Sequence, residues 1–331
     1  MNPNSEELNA IREGVRALCA EFDAAYWRRI DEQRGFPEAF VKALTDAGWL
    51  SAMIPEEYGG SGLGLAEASV ILEEVNRCGG NSGTVHGQMY NMFTLLRNGS
   101  EAQKRFYLPK LASGELRLQS MGVTEPTTGT DTTKIKTTAV RKGDRYVING
   151  QKVWISRIQH SDLMILLART TPLAEVKRKS EGMSIFLVDL REAIGKGLTV
   201  QPIANMVNHE TNGDRVVFGR PIGQNQGVQF PIAEAHIEVE AADLMRWRAC
   251  QEYDAGLNAG ASANMAKYLA AKASWEAANA CLQTHGGFGF ACEYDVERKF
   301  RETRLYQVAP ISTNLILSYV AEHLLELPRS F

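Results

Sequence analysis

No stretch of this 331-residue sequence approaches the roughly eighteen consecutive apolar residues that a membrane helix requires. Its opening residues, Met1 to Leu8, have neither the basic start nor the apolar middle of a secretion signal. Cysteine is scarce: Cys19, Cys78, Cys250, Cys281 and Cys292 are odd in number, widely spaced and form no C-x-x-C pair, a poor basis for a disulfide scaffold or a zinc site. No sign of charge dominates, with 36 Lys and Arg against 39 Asp and Glu, so the pull that general nucleic-acid binders rely on is absent. The six histidines form no H-E-x-x-H pair, and there is neither a G-x-S-x-G elbow nor a P-loop, which removes metal catalysis, serine hydrolysis and P-loop chemistry. These absences lead us to expect a reducing, cytoplasmic setting, no membrane insertion, no metal and no nucleic-acid partner.

With 44% hydrophobic and 23% charged residues, the chain can bury a large core divided among two or three domains. Ser5 followed by Glu6 and Glu7 reads as a helix start, and Leu8, Ile11, Val15, Leu18 and Phe22 recur at helical spacing. A second helix is predicted from Phe36-Pro37-Glu38 to Gly48, and a third through Ala66, Val70, Leu72 and Val75 after the Gly59–Gly62 loop. Near Leu118 the pattern turns to strands. Asn149-Gly150, set between β-branched and aromatic runs, predicts a hairpin over 145–155, and the runs 163–168 and 183–188 extend a β-rich block to about Asn212. The charged stretch 175–181 reads as a solvated loop. Helical spacing returns with Ile232, Ala235, Val239, Ala242, Met245 and Ala249, then an Ala-rich helix over 256–282, then shorter helices over 295–307 and 312–327. Helices, strands, then helices exclude a doubly wound parallel sheet. Gly286-Gly287-Phe288-Gly289 follows a helix rather than a strand, which rules out a dinucleotide fingerprint. Two readings of it stay open: a helix-ending turn, or bare amides presented to a phosphate or flavin edge.

Several separated stretches stand out in order: Glu56-Glu57-Tyr58-Gly59-Gly60; Met121 to Pro126 with Gly129-Thr130-Asp131; Trp154-Ile155-Ser156; Arg215 to Gly219; Gln283 to Gly287; and Arg304 to Gln307. Together they resemble the acyl-CoA dehydrogenase flavoprotein family along almost the whole chain. The resemblance implies an α+β multidomain fold: an N-terminal helical domain (1–117), a middle β-barrel or sandwich domain (118–212) and a C-terminal helical bundle (213–331). It implies FAD between the β-domain and the bundle, an acyl-CoA substrate, a homotetramer, and an electron-transferring flavoprotein as partner in fatty-acid β-oxidation. Residue by residue, it gives Met121, Gly122, Val123 and Thr124 the flavin's polar edge, and Trp154, Ile155 and Ser156 its flank. Donor groups and an apolar indole wall suit a reduced flavin. Arg215, Phe218, Ile222, Asn225 and Gln226, with Gln283, Gly286 and Gly287, would reach a neighbouring subunit's FAD; the Arg215 fork suits a pyrophosphate. Ser312 and Asn314 would add polar FAD contacts, and Thr130, where the family usually has Ser, a contact to the CoA portion.

Two features depart from that family. Its proton-abstracting carboxylate commonly lies in a Tyr-Glu-Gly-Thr stretch; aligned on Tyr306-Gln307, that carboxylate position is Pro310 here. Relatives that place the base on the first long helix of the bundle offer no substitute, because several tens of residues, that helix included, are missing between about Asn212 and Arg215. Dropping a core helix would leave a costly cavity, so an omitted internal segment carrying the base is expected. Neither Glu125 nor Glu210 gains a catalytic role from the sequence, and no catalytic residue is assigned. The leading expectation is FAD-dependent dehydrogenation of an acyl-CoA to the trans-2-enoyl thioester. The alternatives are a catalytically silent flavin or acyl-CoA-binding protein on the same scaffold and, more distantly, a helical assembly subunit without flavin.

Overall fold

The computed structural model of the chain describes residues 5–129, 131–203 and 226–329. Helix α1 (Glu6–Cys19) starts where the Ser5 hydroxyl accepts the Leu8 amide, and it buries Leu8 and Val15. Helix α2 (Ala24–Glu32), capped by Asp23, occupies a stretch for which the spacing gave no helix, and sets Trp27 edge-on against Phe40 at 4.8 Å between ring centroids. Helix α3 (Glu38–Asp46) follows Pro37, and the chain turns at the left-handed Gly48. Helices α4 (Leu65–Arg77), α5 (Gly83–Asn98) and α6 (Glu101–Ala112, opened by a Ser100/Gln103 capping box) complete the N-terminal unit. The hydrophobic faces of α1, α3, α4 and α5 meet in a core around Phe40, Leu44, Ile71 and Val85.

The Gly59-Gly60 loop is held by a close approach: a Cβ on Gly60 would lie 2.1 Å from the Ile54 carbonyl oxygen. Backbone cannot retreat as a side chain can, so Gly60→Ala is expected to destabilise the chain by about 2–3 kcal/mol. Thermal melting is the check; an unchanged transition would show that the loop moves freely.

Strands β1 (Leu118–Gly122), β2 (Thr138–Lys142), β3 (Arg145–Asn149), β4 (Leu163–Arg169) and β5 (Met183–Asp189) form one mixed sheet. The almost entirely buried β4 pairs with β1 in parallel and with β5 antiparallel, and meets β2 at Thr138–Arg169. The expected 145–155 hairpin is displaced: β3 pairs with β2, Lys142 opposite Arg145 across a turn at Gly143, and residues 151–155 form no strand. Gly150 has a different duty, because a Cβ there would lie 2.6 Å from the Thr137 Cα. The one-turn helix α7 (Leu190–Ala193) follows β5. The run to Asn212 leaves the described residues after 203.

Helices α8 (Gln226–Asp254), α9 (Gly260–His285), α10 (Val296–Val308) and α11 (Thr313–His323) make the C-terminal unit. The stripe expected on α8 is only half covered: Ala242 and Ala249 are buried, whereas Ile232 and Val239 are exposed. The ends of the chain are tied together. Asp254 accepts the Leu65 and Ala66 amides at the α4 N-terminus, which lacks a side-chain cap of its own, while Arg301 pairs with Asp31 and Arg28 with Asp295. On the sheet side, Arg117 forks onto Glu38, and Gln88 of α5 accepts the Leu118 amide. Arg298 and Lys299 of α10 donate to the Gly79 and Gly80 carbonyls just before α5, so α10 and the start of β1 both border α5.

Candidate functional site

Two segments remote in sequence run side by side beyond the end of β1. The Val153 amide donates to the Thr124 carbonyl at 2.9 Å, the Lys152 ammonium to the Val123 carbonyl at 3.0 Å, and the Ser120 hydroxyl to the Ser156 carbonyl at 3.0 Å. Met121, Gly122, Val123 and Thr124 therefore lie beside Trp154, Ile155 and Ser156. Trp154 holds a left-handed φ of 62° and is 65% exposed. That backbone costs a non-glycine residue roughly 1–2 kcal/mol, and such strain persists where surrounding bonds impose it. Ile155 packs inward on Met164, Leu166 and Leu190, and Ser156 is exposed. The loop thus buries one apolar side chain and presents an indole and a hydroxyl on either side of it.

Glu125 is the clamp beneath this loop. Its carboxylate accepts from the Lys136 amide at 2.6 Å, the Thr137 amide at 2.9 Å, the Thr137 hydroxyl at 2.6 Å and Lys152 at 2.9 Å. Burial pushes its pKa up, but the Thr137, Lys136 and Lys152 donors outweigh that and bring it down to about 2. A carboxylate so occupied and so weakly basic is a strut, not a general base.

Arg157, which the sequence did not single out, follows directly with φ 58°. Its guanidinium lies against Gly87 of α5: a Cβ there would stand 2.5 Å from Nη2 and 2.9 Å from Nε. The buried Nε has no hydrogen-bond partner. Burial lowers the Arg157 pKa, against the opposing influence of Tyr90 and Tyr306; burial and the Arg157 charge lower that of His86, and burial raises that of Tyr306. Two further buried side chains of the flanking elements are unsatisfied: Asn91 at Oδ1, one turn beyond Gly87 in α5, and Gln119 of β1 at both amide atoms. No spacing or motif announces this cluster, because its members come from three elements.

The remaining predicted positions are spread over the bundle. Gln226, exposed, opens α8; Gln283, also exposed, precedes Gly286, whose φ of 59° ends α9. Gly287 is open to solvent, and the Ser312 hydroxyl caps α11, on which Asn314 is exposed. Among the described residues no hydrogen bond links these positions to the end of β1. Thr130, Glu210, Arg215, Phe218, Ile222 and Asn225 lie outside the described residues. Among the described residues no group of His, Cys, Asp and Glu could hold a metal ion, and no helix is long and apolar enough to cross a membrane.

Three family models match the chain: the acyl-CoA dehydrogenase N-terminal domain over residues 5–115, its middle domain over 120–220 and its C-terminal domain over 206–325. The chain is 32% identical over 386 positions to the acyl-CoA dehydrogenase FadE12 of Mycobacterium tuberculosis (strain ATCC 25618 / H37Rv), covering 99% of this chain and 98% of that protein. It is 30% identical to a glutaryl-CoA dehydrogenase of Desulfococcus multivorans, covering 96% of each. A solved glutaryl-CoA dehydrogenase in complex with glutaryl-CoA superposes with a TM-score of 0.88 at 28% identity, over 100% of this chain and 98% of that one. Two further details concern the alignments. The middle and C-terminal models overlap on residues 206–220. The FadE12 alignment needs 386 positions where this chain has 331 residues, so at least 55 positions of it have no residue here.

Proposed function

The chain belongs to the acyl-CoA dehydrogenase family of oxidoreductases, and from that premise we propose that it binds FAD and an acyl-CoA and serves α,β-dehydrogenation to the trans-2-enoyl-CoA. The observation that carries this reading is the junction of Thr124 with Val153, which holds a strand end beside an outward-facing indole. Bound FAD would supply the hydride acceptor. The chain's own contribution is to hold and shield that group: the backbone of Met121, Gly122, Val123 and Thr124 and the Thr124 hydroxyl serve the flavin's polar edge, Trp154 excludes water from its face, and Ser156 adds a hydroxyl. Gln226, Gln283, Gly286 and Gly287, together with Arg215, Phe218, Ile222 and Asn225, serve a neighbouring subunit's FAD. Ser312 and Asn314 add polar contacts, and Thr130 serves the CoA portion. The exposed Phe230 and Ile237 of α8 support a homotetramer. The further reading is a cytoplasmic enzyme of three domains, 1–117, 118–212 and 213–331, that passes electrons to an electron-transferring flavoprotein.

Trp154→Ala is expected to weaken FAD binding about tenfold, the worth of one aromatic stacking contact. Flavin fluorescence titration measures this, and unchanged affinity would take the indole off the cofactor.

A second reading is supported by two features: Pro310 offers no proton acceptor, and at least 55 positions of the FadE12 alignment have no residue here, among which we place the other helix on which the family carries one. On that reading the chain binds flavin and thioester without completing the reaction. Anaerobic titration of the FAD-loaded chain with acyl-CoAs separates the two. Bleaching of the flavin supports turnover, a spectral shift without bleaching supports binding alone, and a folded chain that takes up no flavin overturns both.

A further inference from the structure

Arg157 is a half-buried cation with no anion. Among the described residues it forms no ion pair; the groups around it are Gly83 and Gly87 of α5, Tyr90, His86 and Tyr306. None of these is negative at neutral pH, since burial raises Tyr306 and keeps His86 neutral. A guanidinium removed from water without a counter-charge is costly, yet the fold goes to some length to keep it there. Two glycines on α5 make room for it, and Arg157 holds a left-handed backbone for which a non-glycine residue is strained. Hydrogen-bonding capacity is also unspent, on its own Nε and, one turn along α5 from Gly87, on Asn91 Oδ1. Polar groups buried without partners are rare enough that each needs a reason. The Arg157 guanidinium itself lies against Gly83 and Gly87 of α5 and feels Tyr90 and, from α10, Tyr306.

That place is defined relative to the flavin wall. Trp154 and Ser156 face outward, whereas the next side chain turns inward against α5. Arg157 directly follows that wall in the chain, so an acyl group reaching past it toward α5 meets the guanidinium. Resting on the acyl-CoA reading above, we propose that Arg157 and the polar groups beside it recognise a carboxylate at the distal end of the acyl group, so that the preferred ligands are ω-carboxyacyl-CoA thioesters. A planar carboxylate matches the guanidinium fork, and the Tyr90 and Tyr306 hydroxyls beside it can donate to the same group.

The test is calorimetric binding to the purified full chain of three thioesters of equal chain length: a plain acyl-CoA, its ω-carboxy counterpart and the methyl ester of the latter. The series is repeated over several lengths. The carboxylate is expected to bind roughly ten- to a hundredfold more tightly than either neutral ligand, the range of a charge-assisted hydrogen bond. In Arg157→Gln the ratio should fall to about one, and Arg157→Lys, which keeps the charge without the fork, should fall in between. Equal affinity of the three ligands for the unaltered chain overturns the proposal and leaves the acyl-CoA reading standing. A preference shared by acid and ester overturns it too, because shape and not charge would be read. If no thioester binds, both the proposal and the acyl-CoA reading fall. The comparison of ligands on the unaltered chain decides the matter even if a variant fails to fold.

Discussion

Inserting between Asn212 and Arg215 the residues by which the FadE12 relative exceeds this chain is expected to raise the rate of flavin bleaching by an acyl-CoA about 10²–10⁴-fold, the usual worth of a positioned general base. The expectation follows from elimination among named groups. Pro310 carries no acceptor, and Glu125 is saturated with donors and drawn down to about 2. Among the described residues no other carboxylate is hydrogen-bonded into the segment 121–125 that continues β1. The inserted stretch should also cover apolar side chains that the N-terminal half of α8 leaves in solvent, Ile232 and Val239 among them, so the melting temperature should rise with the rate. A control insertion with its carboxylates replaced by amides should recover the second effect without the first. Were the uninserted chain to bleach its flavin as fast as the inserted one, the acceptor would lie among the residues already present.

What could be read from the sequence was whatever depended on local pattern. The Ser5 start of α1, the stop at Gly48, the strands β4 and β5 and the Ala-rich α9 all rest on periodicity and end signals within a dozen residues. Local pattern also misled. Asn149-Gly150 has turn chemistry, yet β3 was already satisfied by β2, and the glycine answers to the Thr137 backbone that crosses it. The α8 residues share one face by spacing, yet only part of that face is buried, because burial requires a covering partner as well as a period. The meeting of Met121–Thr124 with Trp154–Ser156 came from the family resemblance, since a single Thr124–Val153 hydrogen bond leaves no mark on composition. Arg157 escaped both routes. A lone arginine in a polar loop looks solvated until α5 is folded over it, and only then do Gly83 and Gly87 acquire a reason.

Replacing Glu125 by glutamine should cost the fold about 3–5 kcal/mol at neutral pH, because the Lys152 ammonium, with 9% of its side chain exposed, is left buried without its counter-charge. The sign of the pH dependence follows from the direction of the shift. The folded carboxyl titrates at about 2, below its ordinary value of 4.5, so the folded state favours the ionised form. The stability this gives, on the order of 3 kcal/mol, is fully present above about pH 4.5 and is lost as the pH falls through about 2. Glu125→Gln lacks that contribution at every pH. The gap between unaltered chain and variant in urea midpoint should therefore be widest at neutral pH and narrow below about pH 4.5. Taking the difference cancels the distant carboxylates that titrate in both proteins. Because Lys152 also holds the Val123 carbonyl, the loop bearing Trp154 should loosen with the clamp, and flavin should leave the variant more readily even where it remains folded. A gap that stays constant down to pH 3, with flavin retained, would mean that the four donors around Glu125 hold a neutral acid as well as they hold its anion.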